Sequence, residues 1–340
     1  MMAATPRPNS SPCDGQRPGN CTRSNHIHPR KRAPLSSTPL RTWLPDFLLL
    51  SMLWGSSYVF MRWGAVHFGA LPTAWLRVSV AMLVLLPWVQ LKGLMPQVGT
   101  HWRATFIMGS LNSAIPFALL AYAVNEMTTG LASILNATTP LFGALVAWLW
   151  LKDKPTAARS LGLAIGFLGV ALLTLGRNPD AALNEQASNG GILACLAATF
   201  FYGTAACFAQ RHLRSIPPLA TAFGSMIGAS LLLVLPAWWF WPAQTPPWSS
   251  WAAIVALGAL CTACAYALYF KLNARIGATK AMTVTYLIPL FASLLGVVLF
   301  DEHLSLISLL SGLTIMLGTA LASGVVVWPR PKEADKQASE

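Results

Sequence analysis

A chain of 340 residues that is 55% hydrophobic and 10% charged, with a mean hydropathy of +0.54, carries more apolar surface than a soluble fold of that size can bury, since soluble domains hold about 25% charged residues. The formal net charge of +12 would suit nucleic acid, but the basic residues are spread between apolar runs and in the tails instead of forming one patch. Nucleic acid is therefore excluded as a partner, and the lipid bilayer is implied.

In chain order, residues 1–43 are rich in Pro, Ser, Asn and Arg and include His28-Pro29-Arg30-Lys31-Arg32, a composition that orders no core and reads as a disordered basic tail. The first apolar run starts too late for a secretory leader and lacks a small-residue cleavage site, so it is expected to be an uncleaved span. Ten runs reach the roughly 20 apolar residues that cross a bilayer: 45–63, 72–91, 104–124, 128–151, 158–175, 190–210, 217–240, 250–270, 279–300 and 306–327. Pro155, Pro217-Pro218, Gly190-Gly191 and Pro246-Pro247 punctuate several boundaries. The longest connection falls mid-chain at 176–189, and a last tail occupies 328–340. Cys195, Cys207, Cys261 and Cys264 lie in apolar runs, while Cys13 and Cys21 lie in the first tail. They give no disulfide framework, and Cys261-x-x-Cys264 reads as small packing residues instead of a metal or redox pair.

The distribution of Lys and Arg sets the expected orientation. The first tail, the second, fourth, sixth and eighth connections, and the last tail hold 20 of the 23 basic residues. The exceptions are Arg62, Arg177 and Arg77, the last inside helix 2. Both termini are expected on the cytoplasmic side of a plasma or inner cell membrane, and the alternation supports the count of ten helices.

The chain also repeats itself. At an offset of 149, Pro140, Leu141 and Phe142 fall on Pro289, Leu290 and Phe291, and Gly109 falls on Gly258. At 148, Gly55 and Phe60 fall on Gly203 and Phe208, with Trp54 over Tyr202. The expected fold is thus an all-α integral membrane protein of ten helices, in two five-helix repeats at 44–175 and 190–327. Because five is odd, the second copy enters the bilayer inverted, a design in which transporters place a solute site between the halves near the midplane.

The segments WGSSYVF at 54–60, LPTAWLRVSVAMLVLLP at 71–87, TTGLASILNATTPLFGALVAWLWLKDKPTAARSLGLAIGFLGVALL at 128–173 and ATKAMTVTYLIPLFASLLGVVLFDEHLS at 278–305 carry a family resemblance. Over about residues 44–327 the chain resembles the EamA-type family of the drug/metabolite transporter superfamily. The resemblance implies a secondary transporter, an exporter or facilitator, that moves a small metabolite, amino acid or drug by alternating access. The acidic residue that family members carry after helix 4 stands here in Lys152-Asp153, with Glu302 as its counterpart after helix 9.

Within this frame the residues suggest a site. Pro140 and Pro289 each remove a helix hydrogen bond from the carbonyl four residues back, that of Asn136 and that of Thr285. Such turns line a solute cavity or are ordinary kinks whose polar groups bond to a neighbouring helix. Arg77 is the one charge well inside a helix; it either meets an anionic solute group or snorkels outward to helix-end carbonyls or Glu126. Trp54, Tyr58, Tyr202, Tyr266 and Tyr286, with Asn112, lie deep enough to line the cavity. Trp75, Tyr122, Tyr269 and the tryptophans at 238–241 are assigned to the membrane interface. Gly162-x-x-x-Gly166 reads as close packing within the protomer, with a homodimer contact as the alternative.

Every Asp and Glu falls at a helix end, in a loop or in a tail, so facilitated diffusion is credible, and Glu126 and Glu302 are the candidates if transport is proton-coupled. Neither a phosphate loop nor a hydrolase or metalloprotease motif is present, so no cofactor, metal or catalytic residue is expected. The alternatives are a membrane-embedded enzyme and a non-transporting polytopic assembly or signalling protein, neither of which accounts for an inverted repeat.

Overall fold

A computed structural model describes residues 40–175, 187–303 and 305–324. Positions 1–39, 176–186 and 325–340, which hold most of the expected tails and inter-repeat loop, lie outside the described residues. The described chain is a bundle of ten principal helices: α1 (Leu40–Phe68), α2 (Ala70–Leu91), α3 (Trp102–Glu126), α4 (Thr129–Leu151), α5 (Ala157–Leu175), α6 (Asn189–His212), α7 (Pro218–Trp239), α8 (Trp248–Ile276), α9 (Lys280–Phe300) and α10 (Leu306–Ala322). Nine are long and apolar enough to cross a membrane, and α10, at 17 residues, is at the short end of the spanning range. Several run past the apolar stretch: α1 continues through Arg62 and Trp63 to Phe68, because a helix keeps its own hydrogen bonds in the headgroup region whatever its side chains.

Helices α4 and α9 depart from the expected kinks: each is broken. In α4 the first piece, Thr129–Asn136, ends two residues before the second, Thr139–Leu151, which carries Pro140 in its first turn. In α9 a 3₁₀ turn at Thr283–Tyr286 precedes Ile288–Phe300, with Pro289 in the first turn. Proline fits a first turn because its missing N–H has no partner to lose there. The Asn136 carbonyl that Pro140 cannot serve accepts instead from the Thr139 hydroxyl at 2.8 Å.

The duplication visible in the sequence recurs in backbone detail. Both broken helices end in a left-handed residue, Lys152 (φ 60) and Asp301 (φ 52), 149 positions apart. Each donates its N–H to an equivalent carbonyl, Ala147 or Gly296. Helices α3 and α8 both widen into π turns, at Ser110–Ala114 and Ala256–Cys264. Contacts between the halves are swapped as a pseudo-twofold relation requires. A Cβ on Gly203 of α6 would lie 2.6 Å from the Gly143 nitrogen of α4, and one on Gly55 of α1 would lie 2.6 Å from Phe291 of α9. Gly109 of α3 likewise rests on the Ser225 carbonyl of α7, and Gly258 of α8 on the Arg77 carbonyl of α2. Gly162 is occupied within the protomer, against Ala322 and Gly318 of α10.

Candidate functional site

Around the pseudo-twofold relation the bundle leaves a central cavity of about 300 Å³. Helices α1, α2, α3, α4, α6, α8 and α9 line it, while α5, α7 and α10 contribute nothing. Much of its wall comes as repeat pairs: Trp54 with Tyr202, Asn112 with Cys261, Phe117 with Tyr266, Leu120 with Tyr269, and Asn136 with Thr285. The cavity therefore sits where the halves meet. The broken helices place Asn136 and Thr285 there, and the π turns of α3 and α8 present Asn112 and Thr262. Such widened turns occur often at functional positions because they expose backbone and side chain that a regular helix would stack.

Eight of the candidates named from sequence line this cavity: Trp54, Tyr58, Arg77, Asn112, Asn136, Pro140, Tyr202 and Tyr266. Asn112 donates to the Tyr266 hydroxyl at 3.1 Å. The Asn136 side-chain oxygen is buried without a hydrogen-bond partner among the described residues. Arg77, 6% exposed, donates through Nε to the Thr262 hydroxyl at 3.0 Å and stacks on Phe117, its guanidinium carbon 3.7 Å from the ring centroid. It thus bonds inward to α8 and makes no ion pair with Glu126 among the described residues. A buried cation on an aromatic face gains about 2 kcal/mol or more when desolvated, and an Arg in mid-helix costs about 2.5–3.5 kcal/mol on insertion scales.

Tyr286 and Pro289 lie elsewhere. Tyr286 bonds to Ser323 at 3.0 Å and lines a second cavity of about 290 Å³ among α4, α5, α6, α9 and α10. Pro289 is buried and lines neither cavity. The second cavity shares Thr139, Pro140, Ala206, Met282 and Thr285 with the first, so the two adjoin. Its outer residues, Asp153, Arg159 and Gln210, belong to the helix ends where the basic connections gather.

At the opposite end a carboxylate ties three helices together. Glu302, 4% exposed, accepts from the Thr129 backbone N–H and hydroxyl, each at 2.8 Å, and from the Gly130 N–H at 3.3 Å. It also pairs with Arg62. The carboxylate thereby caps the first turn of α4, where unpaired N–H groups and the helix dipole favour an anion, and clasps α1, α4 and α9 together. Its repeat counterpart Asp153 is 64% exposed at the side chain and reaches only Arg159, at 3.6 Å. Glu126 lines neither cavity.

Sequence reasoning missed several of these positions. Phe117 carries no signal except its repeat offset of 149 from Tyr266, and Thr262 and Ser133 carry none. Tyr269, assigned to the interface, lines the central cavity and packs on Trp54 with centroids 5.4 Å apart; α8 extends beyond it to Ile276, which puts Tyr269 deeper than a helix ending at residue 270 would. The Arg62–Glu302 contact joins residues 240 apart, and its one sequence trace is that Arg62 breaks the rule of basic residues on a single side.

Comparison with known proteins agrees with this geometry. The model of the EamA-like transporter family matches residues 42–175 and again 189–324. The chain is 26% identical over 275 residues to the uncharacterized transporter YoaV of Bacillus subtilis, covering 79% of this chain and 92% of that one. It is 24% identical over 300 residues to protein PagO of Salmonella typhimurium (86% and 97% covered). To the uncharacterized inner membrane transporter YedA of Escherichia coli K12 it is 25% identical over 285 residues (82% and 90% covered). A solved crystal structure superposes with a TM-score of 0.57 at 19% identity, covering 84% of this chain and 99% of the other, which speaks for the fold alone. With a family match in each half of a multi-pass helical bundle, the chain belongs to the EamA-like transporter family, and it is a membrane transporter and not an enzyme.

Proposed function

We propose that the protein is a secondary transporter of the cell membrane that moves a small metabolite, amino acid or drug by alternating access, as an exporter or facilitator. Its repeats, at 44–175 and 190–327, rock about the central cavity, and both termini face the cytoplasm. One observation carries the reading. A cavity built from both halves adjoins a second cavity at the basic end, while Glu302, Thr129 and Arg62 bind α1, α4 and α9 together at the other end. Two equivalent carboxylates in unequal states, Glu302 clasped and Asp153 exposed, are what one end shut and the other open requires.

The candidate coupling residues stand away from the solute. Glu302 serves as the outer clasp, Glu126 reaches neither cavity, and no carboxylate lines the central cavity among the described residues. This favours facilitated movement or exchange over a proton relay through the site.

The experiment is solute flux into liposomes holding the purified protein, across a panel of amino acids, organic acids and cationic drugs. Saturable flux of at least one solute is the expected result, and bond cleavage without flux would sink the transporter reading. Asn136→Ala is expected to lower that flux at least tenfold while costing only about 0.5–1.5 kcal/mol of stability, because its buried oxygen has no partner to lose and the change gives up one hydrogen bond, to Tyr58. Wild-type flux in this variant removes Asn136 from the site. Orientation has its own test: an impermeant thiol reagent added to whole cells should label a cysteine at Asn189 and spare one at Arg214. The reverse pattern refutes cytoplasmic termini.

A further inference from the structure

We propose that the central cavity selects net-anionic organic solutes, a carboxylate on a flat apolar body, and that Arg77 is the group that binds the carboxylate. The proposal rests on the reading of this cavity as the solute site and adds the solute's chemical class.

The cavity holds one formal charge. Arg77 lines it, and no Asp or Glu does among the described residues. The other described carboxylates that pair are engaged elsewhere: Asp46 with Lys271 and Arg275, Asp153 with Arg159, and Glu302 with Arg62. Of the five N–H donors on a guanidinium, one serves Thr262 through Nε, and a terminal nitrogen makes a long contact of 3.9 Å to the Met61 sulfur. Phe117 covers one face of the group. A cation that is nine-tenths buried and faces no anion leaves its remaining donors and its charge to whatever enters the cavity. A carboxylate offers two acceptors in the plane of that fork, which a hydroxyl or an ammonium cannot supply.

The scaffold does not account for the charge. The cavity wall recurs in pairs across the two repeats, but the counterpart of Arg77 is Ser225, a buried residue of α7 whose hydroxyl has no partner among the described residues. The same backbone position closes against a glycine in both halves, Gly258 on Arg77 and Gly109 on Ser225, so this packing forms without an arginine. What the duplicated framework does not require is where specificity is free to enter.

The remaining lining suits the rest of such a solute. Tyr266 accepts from Asn112, which leaves its own O–H as a donor for the second carboxylate oxygen. Phe117, Trp54 and Tyr269 supply flat apolar walls, and about 300 Å³ is at the small-molecule end of known pockets. A zwitterion would bring an ammonium with no carboxylate to meet it, a phosphate dianion would bring one charge too many, and a cation would be repelled.

Equilibrium binding tests this on the wild-type protein in nanodiscs, with empty nanodiscs as the lipid control. Three probes share one body: 2-naphthoate, 2-naphthamide and 2-naphthylmethylammonium. Naphthoate is expected to bind saturably and about tenfold or more tighter than the amide, with the ammonium weakest, since a hydrogen-bonded charge pair contributes that much. Arg77→Gln should erase the preference of acid over amide, and Arg77→Lys should retain part of it; a merely structural Arg77 would lower all three affinities together. Equal or tighter binding of the amide or ammonium, or no saturable binding of naphthoate, overturns the proposal on the wild-type protein alone. The preference persisting in Arg77→Gln overturns the role of that residue. Liposome flux separates this from the transporter reading: carboxylate binding without flux of any panel solute defeats the transporter and keeps the anion site, whereas flux confined to cations does the reverse.

Discussion

Glu302→Ala is expected to destabilise the folded bundle by about 3–5 kcal/mol, the usual cost of removing one partner from a buried ionic contact. The carboxylate is 4% exposed and collects the Thr129 N–H, the Thr129 hydroxyl and the Gly130 N–H. Alanine would leave two buried backbone donors and the Arg62 guanidinium unserved in one step. Arg62 is 30% exposed, so water recovers part of its share, and most of the loss comes from the helix N-terminus. Glu302→Gln keeps the shape and one acceptor oxygen and should fall between alanine and wild type. The contrast lies in the other half of the repeat. Asp153→Ala removes a carboxylate 64% exposed with one contact at 3.6 Å, and the change should stay within about 0.5 kcal/mol. Denaturant titration of the purified protein in mixed micelles reads both. Equal small losses at the two positions would show that the outer clasp does not form.

The second large effect is steric. Gly162→Val places a branched side chain where a Cβ alone would lie 2.5 Å from the Ala322 nitrogen and 2.7 Å from the Gly318 oxygen. Those are backbone atoms of α10, which no rotamer change can move, so α5 and α10 must separate along the contact. Overpacking usually costs about 1–3 kcal/mol, and a backbone-to-backbone contact belongs at or above the top of that range. The control is Gly99→Val, in the short helix Met95–Thr100 of the second connection, where a Cβ meets nothing within 4 Å. Size-exclusion profiles and thermal unfolding of the two variants should differ sharply, with Gly162→Val yielding little monodisperse protein. Equal stability would contradict the α5–α10 contact.

Much of the architecture is legible in the residues because a bilayer imposes simple rules. Apolar length gives the helices. The offset of 149 gives the doubling, and it foretells details far below helix level: Pro140 and Pro289 each open the second piece of a broken helix, and Lys152 and Asp301 each end one in a left-handed turn. The site was partly legible for the same reason. A polar side chain beside a mid-helix proline needs a partner other than lipid, and Asn136 and Thr285 both reach the cavity.

Other features were beyond the sequence. Tyr286 and Tyr202 look alike as deep tyrosines, yet one lines the second cavity and the other the first, because facing depends on helix rotation, which hydropathy in a lipid-surrounded bundle does not encode. Whether Arg77 turned inward or toward Glu126 depended on where Thr262 and Phe117 stood, 185 and 40 positions away. The inequality of Glu302 and Asp153 is invisible in a repeat that makes them equivalent; it rests on what each meets, the first turn of α4 and Arg62 for Glu302 and only Arg159 for Asp153. The sequence by itself determined a doubled membrane bundle with polar, proline-weakened turns in helices 4 and 9, and the structure made those turns breaks. The tertiary structure alone decided which side chains share the cavity and which of the two equivalent carboxylates is buried, since both depend on contacts between residues far apart in the chain and on the rotation of each helix about its axis.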